Sequence, residues 1–296
     1  MDNSTAALKN LRPVKKFFIG IDSDGCAFDT MEIKHKECFC PVFINHFNLQ
    51  AVSKYAREAW EFVNLYSRTR GINRFLALIR TLELLEERKE VILRNVEIPA
   101  RTSLMEWVKG ETKLGNPALK KAVDDTNDPE LTLLYNWSID VNETVAKIVR
   151  NVPPFPFVKE SLKKIEENAD SIVISQTPVE ALDREWNEHG ISRFVKMIAG
   201  QEMGTKSEHI LYAAKGKYDD DKILMIGDAP GDLKAAKDNN ALYFPIIPGQ
   251  EEKSWELFYK EGLDRFFNGS YTGKYEEKLI DNFLRYLPEL PTWKQN

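Results

Sequence analysis

Cysteine is scarce in this chain, with three among 296 residues, at positions 26, 38 and 40. They form no CxxC pair and no ligand series with the four histidines, which excludes a disulfide framework and a zinc cluster. Reduced thiols in a reducing compartment are expected. Long apolar runs are missing too, so no membrane-spanning helix is expected. The opening MDNSTAALKNLRPVKK is polar, and the following FFIGI is cut short by Asp22, too short for the apolar core of a signal peptide. A cytoplasmic location is expected, and the N-x-[ST] triplets at Asn136, Asn142 and Asn268 are set aside. Basic residues are not in excess: 41 against 46 acidic, for a net charge of −5. Neither nucleic acid nor an anionic membrane is an expected partner.

What is present is an ordinary soluble composition, 43% hydrophobic and 29% charged, in a chain long enough for one large domain or two ordinary ones. Five short apolar runs read as strands: Phe17–Asp22, Ser171–Ser175, Lys196–Gly200, Lys222–Asp228 and Ala241–Ile247. Helical patterns separate the later ones, at Val158–Asn168, Pro178–His189, Lys206–Lys215 and Asp232–Asn239. Alternation of this kind predicts an α/β fold, a doubly wound parallel sheet of Rossmann-like type. The gap between the first strand and the second is far longer than one crossover needs. It is helical almost throughout, for example over Phe75–Leu93 and Glu130–Val149. An all-helical domain inserted over residues 31–152 is predicted, leaving 1–30 and 153–296 for the sheet domain. The segment VPPFPF (Val152–Phe157) reads as a semi-rigid hinge. The stretch Glu251–Asn296 is expected to pack on the sheet.

Four features fall beside predicted strand ends, where open α/β sheets bind ligands. They are Asp22-Ser-Asp24-Gly25; Ser175 with Gln176-Thr177-Pro178 behind it; Lys206, opening a helix after Gly204-Thr205; and Gly227-Asp228-Ala-Pro-Gly-Asp232. Two carboxylates as close as Asp22 and Asp24 repel unless a cation or a shared proton compensates. Taken singly, each feature has a plain reading: a solvated turn at Asp22 and Asp24, a helix cap at Ser175, a surface lysine at Lys206, and a turn with a cap at Asp232. Asp219–Asp221 reads as a solvated turn. The stretch Gly200–Ser207 is similar to a phosphate-binding P-loop but is one residue short between its glycines. DSDG lacks the later ligands of a calcium loop.

Taken together and in this order, DxDG, Ser/Thr, Lys and GDxxxD resemble the four motifs of the haloacid dehalogenase superfamily. DGCAFDT (Asp24–Thr30) resembles its β-phosphoglucomutase-like and phosphoglycolate phosphatase-like branch, in which a helical cap is inserted after the first motif. The resemblance covers roughly residues 15–30 and 152–250. It implies a Mg²⁺-dependent phosphatase acting on a small soluble phosphate monoester. Asp22 is then the nucleophile, forming an aspartyl-phosphate. Asp24 is the acid–base residue, protonating the leaving oxygen and then activating water. Mg²⁺ is expected on Asp22, on the backbone carbonyl of Asp24 and on Asp228, with Asp232 as a further ligand or as the partner of Lys206. Ser175, Gln176 and Gly25 are expected to hold phosphoryl oxygens, and Lys206 to offset charge beside the nucleophile.

Substrate choice is expected from the helical insertion. Arg68, Arg70 and Arg74 cluster around Gly71 and resemble the loop by which related caps meet the leaving group; arginine suits a second phosphate or a carboxylate. The competing reading is that they are solvated helix ends. His35, Trp60 and Trp107 are expected to be structural. Three rival functions are carried forward: a phosphomutase using the same aspartates, a catalytically silent scaffold that binds a protein partner through the helical domain, and a phosphonate-cleaving enzyme, which would need a cap lysine such as Lys34 or Lys54 in an imine.

Overall fold

The computed structural model describes residues 3–294. The chain divides into two compact units, one made of the chain up to Met31 with Asn151–Leu287, the other of Glu32–Arg150 with the chain from Pro288 onward. In the first, five strands form one parallel sheet: β1 (Phe17–Ile21), β2 (Ala169–Ile174), β3 (Met197–Ala199), β4 (Ile223–Gly227) and β5 (Leu242–Pro245), in the order β3-β2-β1-β4-β5. Every predicted strand is present to within about two residues.

Successive strand residues alternate between two cores, as the period of two requires. Ile19, Ile21, Val173, Leu224 and Ile226 enter a cluster with Trp186, Trp255 and Phe258. Phe18, Ile172, Ile174 and Met225 enter the other, with Ile210, Ala235 and Phe283. Both faces are therefore covered by helices, which is why the strands read as unbroken apolar runs. Fully burying each such side chain is worth about 1.5–3 kcal/mol. The strand order reverses between β1 and β4, so a crevice opens at their C-terminal ends.

Helices Val158–Asn168, Val179–Glu188 and Lys206–Ala213 lie where the periodicity predicts. The next helix starts at Pro230, two residues before the expected start at Asp232. Proline suits the first helical turn, whose N–H groups have no intrahelical acceptor. The returning chain pairs beside the outgoing one: Phe155 N–H donates to the Ala27 carbonyl at 2.9 Å, and Phe28 bridges Pro154.

Asp170 ties this unit together from the start of β2. Its buried carboxylate accepts from Val14 N–H (2.7 Å), Lys15 N–H (3.0 Å) and Tyr218 O–H (2.7 Å), and meets Lys196 Nζ at 2.5 Å. Burial pushes its pKa up, but these donors outweigh burial and hold it below the ordinary carboxylate range. Asp170→Asn is expected to cost about 2–3 kcal/mol by urea unfolding at pH 7. Because the folded-state value is depressed, this contribution is present above about pH 4 and fades as pH falls through the folded value. A difference between parent and variant that does not shrink on acidification would contradict it.

The second unit is all-helical, as predicted. Its main helices are Ser53–Asn64, Arg74–Glu86, Thr102–Gly110, Asn116–Thr126 and Pro129–Ile148. They surround an aromatic core in which Trp60 meets Phe43 at 5.1 Å and Trp137 at 6.1 Å. Trp60 N–H donates to His35 Nδ1, and Trp107 lies edge-on to Phe75, so all three serve packing as expected. The expected helix Phe75–Leu93 is interrupted, with Arg74–Glu86 and Lys89–Ile92 meeting at an extended Arg88. The Arg88 guanidinium is buried, pairs with Glu58 and lies over the Tyr55 and Trp293 rings. That inward turn is incompatible with continuing the helix.

The tail corrects a second expectation. Helix Lys274–Tyr286 does pack on β5, where Glu276 accepts from Tyr243 N–H at 3.0 Å. From Pro288 onward, however, the chain belongs to the helical unit rather than to the sheet domain. Pro288 accepts from Arg68 N–H, and Trp293 packs against Phe62 and under Arg88. An indole finds ring and guanidinium partners there.

Candidate active site

The site is built at the C-terminal ends of β1 and β4. Asp22 extends β1 by one residue, its N–H donating to the Ile226 carbonyl at 3.0 Å, and its Oδ1 accepts from Ser23 N–H at 2.8 Å. Lys206 is the first residue of its helix, fixed there by the capping box between Thr205 and Glu208. Its Nζ donates to Asp22 Oδ2 at 2.7 Å and to Asp232 Oδ1 at 2.6 Å. Asp232 is fully buried, and its Oδ2 caps its own helix by accepting from Asp228 N–H (3.2 Å) and Ala229 N–H (3.0 Å).

Gly227 makes this geometry feasible. A Cβ there would lie 2.4 Å from Asp232 Cβ. Gly227→Ala is expected to push Asp232 off Lys206, lowering stability by about 1–3 kcal/mol. Turnover should fall by more than the loss of folded protein explains. A variant with parental melting and kinetics would show that the strand end relaxes freely.

Asp22, Asp228 and Asp232 are all buried, and each offers a carboxylate oxygen within 4.8 Å of the others. Burial, first, drives the Asp22 pKa well above the ordinary range; Lys206 pulls it down, and Asp232 and Asp228 push it up. Burial acts to lower the Lys206 pKa, but Asp22 and Asp232 outweigh it, so the ammonium stays charged. Three buried carboxyl groups thus share a single ammonium, a crowding of acids that a bound cation would relieve. An all-oxygen, acid-rich pocket fits a hard divalent cation such as Mg²⁺.

Asp24 lies outside that trio. Its half-buried carboxylate accepts from the Thr30 hydroxyl and, at 2.5 Å, from the Thr177 hydroxyl. Ser175 is buried after β2, and its Oγ accepts from Thr177 N–H at 3.2 Å, leaving its own proton available to another acceptor. Gln176 is exposed and donates to the Ser175 and Gly204 carbonyls. The Gly25 N–H donates to the Phe28 carbonyl at 2.8 Å, so the loop itself consumes the group expected to hold phosphate.

The three arginines do not form the expected cluster. Arg70 is buried and donates to the Leu65 carbonyl at 2.9 Å. Arg74 donates to the Ser138 hydroxyl (3.0 Å) and to Asn142 Oδ1 (2.8 Å), lies over the Phe39 ring, and has its pKa lowered by burial to about 10. Only Arg68 of the three is exposed.

Sequence reasoning missed the two threonines on Asp24. Both lie inside quoted motifs, but neither spacing nor residue type announces which hydroxyl reaches which carboxyl. It also missed Ser23, whose hydroxyl accepts from Trp186 N–H at 2.9 Å and donates to Glu185 at 3.1 Å, bracing the loop after Asp22. Cys26 is buried beside the acids, and burial foremost, with Asp22, pushes its thiol pKa up, so it stays protonated.

Fold and site define a class: a Rossmann-like α/β enzyme with a carboxylate–lysine centre at the topological switch point. The haloacid dehalogenase-like hydrolase family profile matches residues 109–244, a span that holds Ser175, Lys206, Asp228 and Asp232 and begins after Asp22. Over that span the chain matches the haloacid dehalogenase-like hydrolases. Among solved structures it is similar to a β-phosphoglucomutase from Clostridium difficile, at 16% identity over 88% of this chain and 100% of that one, with a TM-score of 0.49. It is also similar to a haloacid dehalogenase-like family protein from Streptococcus pneumoniae, at 13% identity over 82% and 90%, TM-score 0.47. A third is a haloacid dehalogenase-like hydrolase from Xanthomonas campestris, at 9% over 88% and 96%, TM-score 0.46. Such distant likeness does not extend to substrate. No curated protein matches the chain in sequence.

Proposed function

We propose that this hydrolase is a Mg²⁺-dependent phosphatase that cleaves a small soluble phosphate monoester through an aspartyl-phosphate intermediate. The observation that carries the reading is Lys206 bridging Asp22 and Asp232, with Asp22, Asp228 and Asp232 gathered at one strand-end crevice. A phosphate monoester is a dianion, so an anionic nucleophile needs its charge offset before it can approach. Mg²⁺, when bound by Asp22, Asp228 and Asp232, supplies that offset.

The protein's own groups do the rest. Asp22 attacks phosphorus with one carboxylate oxygen. Lys206 neutralises part of the charge that accumulates beside it and, held by Asp232, keeps its place as the phosphoryl group moves. Ser175 donates its hydroxyl proton to a phosphoryl oxygen. Asp24 protonates the leaving oxygen and then takes a proton from the attacking water.

The placement of Arg70 and Arg74 favours hydrolysis over the mutase alternative, since neither guanidinium is left open for a second phosphate. A silent scaffold fits poorly with buried like charges, which cost stability unless they serve a function. The three free, buried thiols fit a cytoplasmic, reducing setting. Among the described residues no helix is long and apolar enough to cross a membrane.

A panel of phosphorylated metabolites assayed with Mg²⁺ tests the reading. Phosphate should appear in proportion to substrate consumed, stop on chelation, and resume on Mg²⁺ addition. Isomerisation without phosphate release would make the protein a mutase. No Asp22-dependent turnover across the panel would end the enzymatic reading.

A further inference from the structure

Asp24 is asked to move a proton in two directions, and such a group works only if its carboxyl is held in one orientation. Something must hold it through both protonation states. Thr30 holds one carboxylate oxygen from within the same loop, and the other is held by a side chain from the turn after β2. Thr177 Oγ1 lies 2.5 Å from Asp24 Oδ2.

The turn that presents this hydroxyl is fixed at three points. Thr177 N–H donates to Ser175 Oγ at 3.2 Å, and the Thr177 carbonyl accepts from Gln201 N–H at 3.1 Å. Gly200 closes over it so tightly that a Cβ there would lie 2.6 Å from the Thr177 carbonyl oxygen and 2.7 Å from the Val179 nitrogen. Pro178, next in the chain, limits the backbone of Thr177 to extended conformations. The hydroxyl is therefore positioned by backbone rather than by a flexible stem. A hydroxyl can also donate to a carboxylate and accept from a carboxylic acid, so one group serves both states.

We propose that Thr177 is a positioning residue that orients the Asp24 carboxyl for proton transfer to the leaving group. The proposal rests on the phosphatase reading above. In the first step a bond forms from Asp22 to phosphorus and the ester P–O bond breaks. Its electron pair stays on the leaving oxygen, which takes the Asp24 proton and departs as the alcohol. In the second, water attacks phosphorus, Asp24 takes a water proton, and the Asp22–phosphorus bond breaks with its pair returning to Asp22.

The test uses p-nitrophenyl, phenyl and benzyl phosphate with Mg²⁺, a series whose leaving oxygen becomes progressively more basic and more dependent on protonation. The ratio kcat/KM reports steps up to phosphoryl transfer to Asp22, while hydrolysis of the intermediate is common to all three. Thr177→Val should lower kcat/KM for benzyl phosphate at least tenfold and for p-nitrophenyl phosphate less than about threefold, within the range ascribed to acid–base assistance. Thr177→Ser should restore most of the loss. Equal losses across the series, no loss, or a serine variant that behaves like valine would overturn the proposal. If the valine variant does not fold, Thr177→Ala decides by the same pattern. Failure of the phosphatase reading shows itself separately, as parental turnover that survives Asp22→Asn.

Discussion

Asp22→Asn should abolish turnover, by a factor of about 10⁴ or more, while leaving a protein that melts no lower than the parent. The kinetic part follows from the loss of the attacking oxygen, since removing a nucleophile that acts with its partners as a unit costs on that scale. The stability part follows from where the charge sits. Asp22 is buried with Asp228 and Asp232 close by, and its environment favours the neutral form. The amide keeps an acceptor for Ser23 N–H and removes the carboxyl whose charge burial disfavours, while Lys206 retains Asp232. Active sites commonly carry such a conflict between stability and chemistry. Added Mg²⁺ should raise the melting temperature of the parent, by mass action on the folded state, and raise that of the variant less. Kinetics unchanged from the parent in a cleanly folded variant would remove Asp22 from the nucleophile role.

Lys206→Met should behave in the opposite way, losing activity and stability together. The ammonium is 18% exposed and sits between two buried carboxylates. Removing one member of a buried ion pair leaves charge uncompensated, at about 3–5 kcal/mol. Turnover should fall by about 10²–10³ or more, the scale for losing one preorganised group that offsets developing charge. The pH dependence has a defined sign. Without the ammonium, nothing offsets the burial that raises the Asp22 pKa, so folded Asp22 holds its proton more tightly than the unfolded chain does. The variant should therefore lose stability relative to the parent as pH rises from about 5 to 7, and regain it on acidification. Chemical unfolding at several pH values measures this. A variant as stable as the parent at pH 7 would mean that the acids are neutral in the folded protein already, and that Lys206 is not their counter-charge.

Much of the site was legible because its parts sit at strand ends. An apolar run stopping on an aspartate marks both the end of a buried strand and the rim where ligands bind, so Asp22, Ser175 and Asp228 could be placed from pattern alone. Lys206 was legible through the glycine and threonine that start its helix. The arginine-rich loop was misread because a run of like charges reveals nothing about direction. Two of its guanidiniums turn inward, one to a carbonyl at Leu65 and one to Ser138, Asn142 and the Phe39 ring. Thr30 and Thr177 were passed over for a related reason: a hydroxyl gains a role only from the carboxyl that folding brings beside it.

The sequence by itself determined that a parallel sheet would form, that its first crossover would carry a helical insertion, and which acids would stand at its edge. Periodicity, chain length and motif order are local or one-dimensional properties, and they survive without coordinates. Tertiary structure alone decided that Lys206 would span Asp22 and Asp232, that Thr177 would reach Asp24, and that the last residues would leave the sheet domain for the helical unit. Each of those outcomes depends on desolvation and on distances between segments far apart in the chain, and neither quantity is written in residue order.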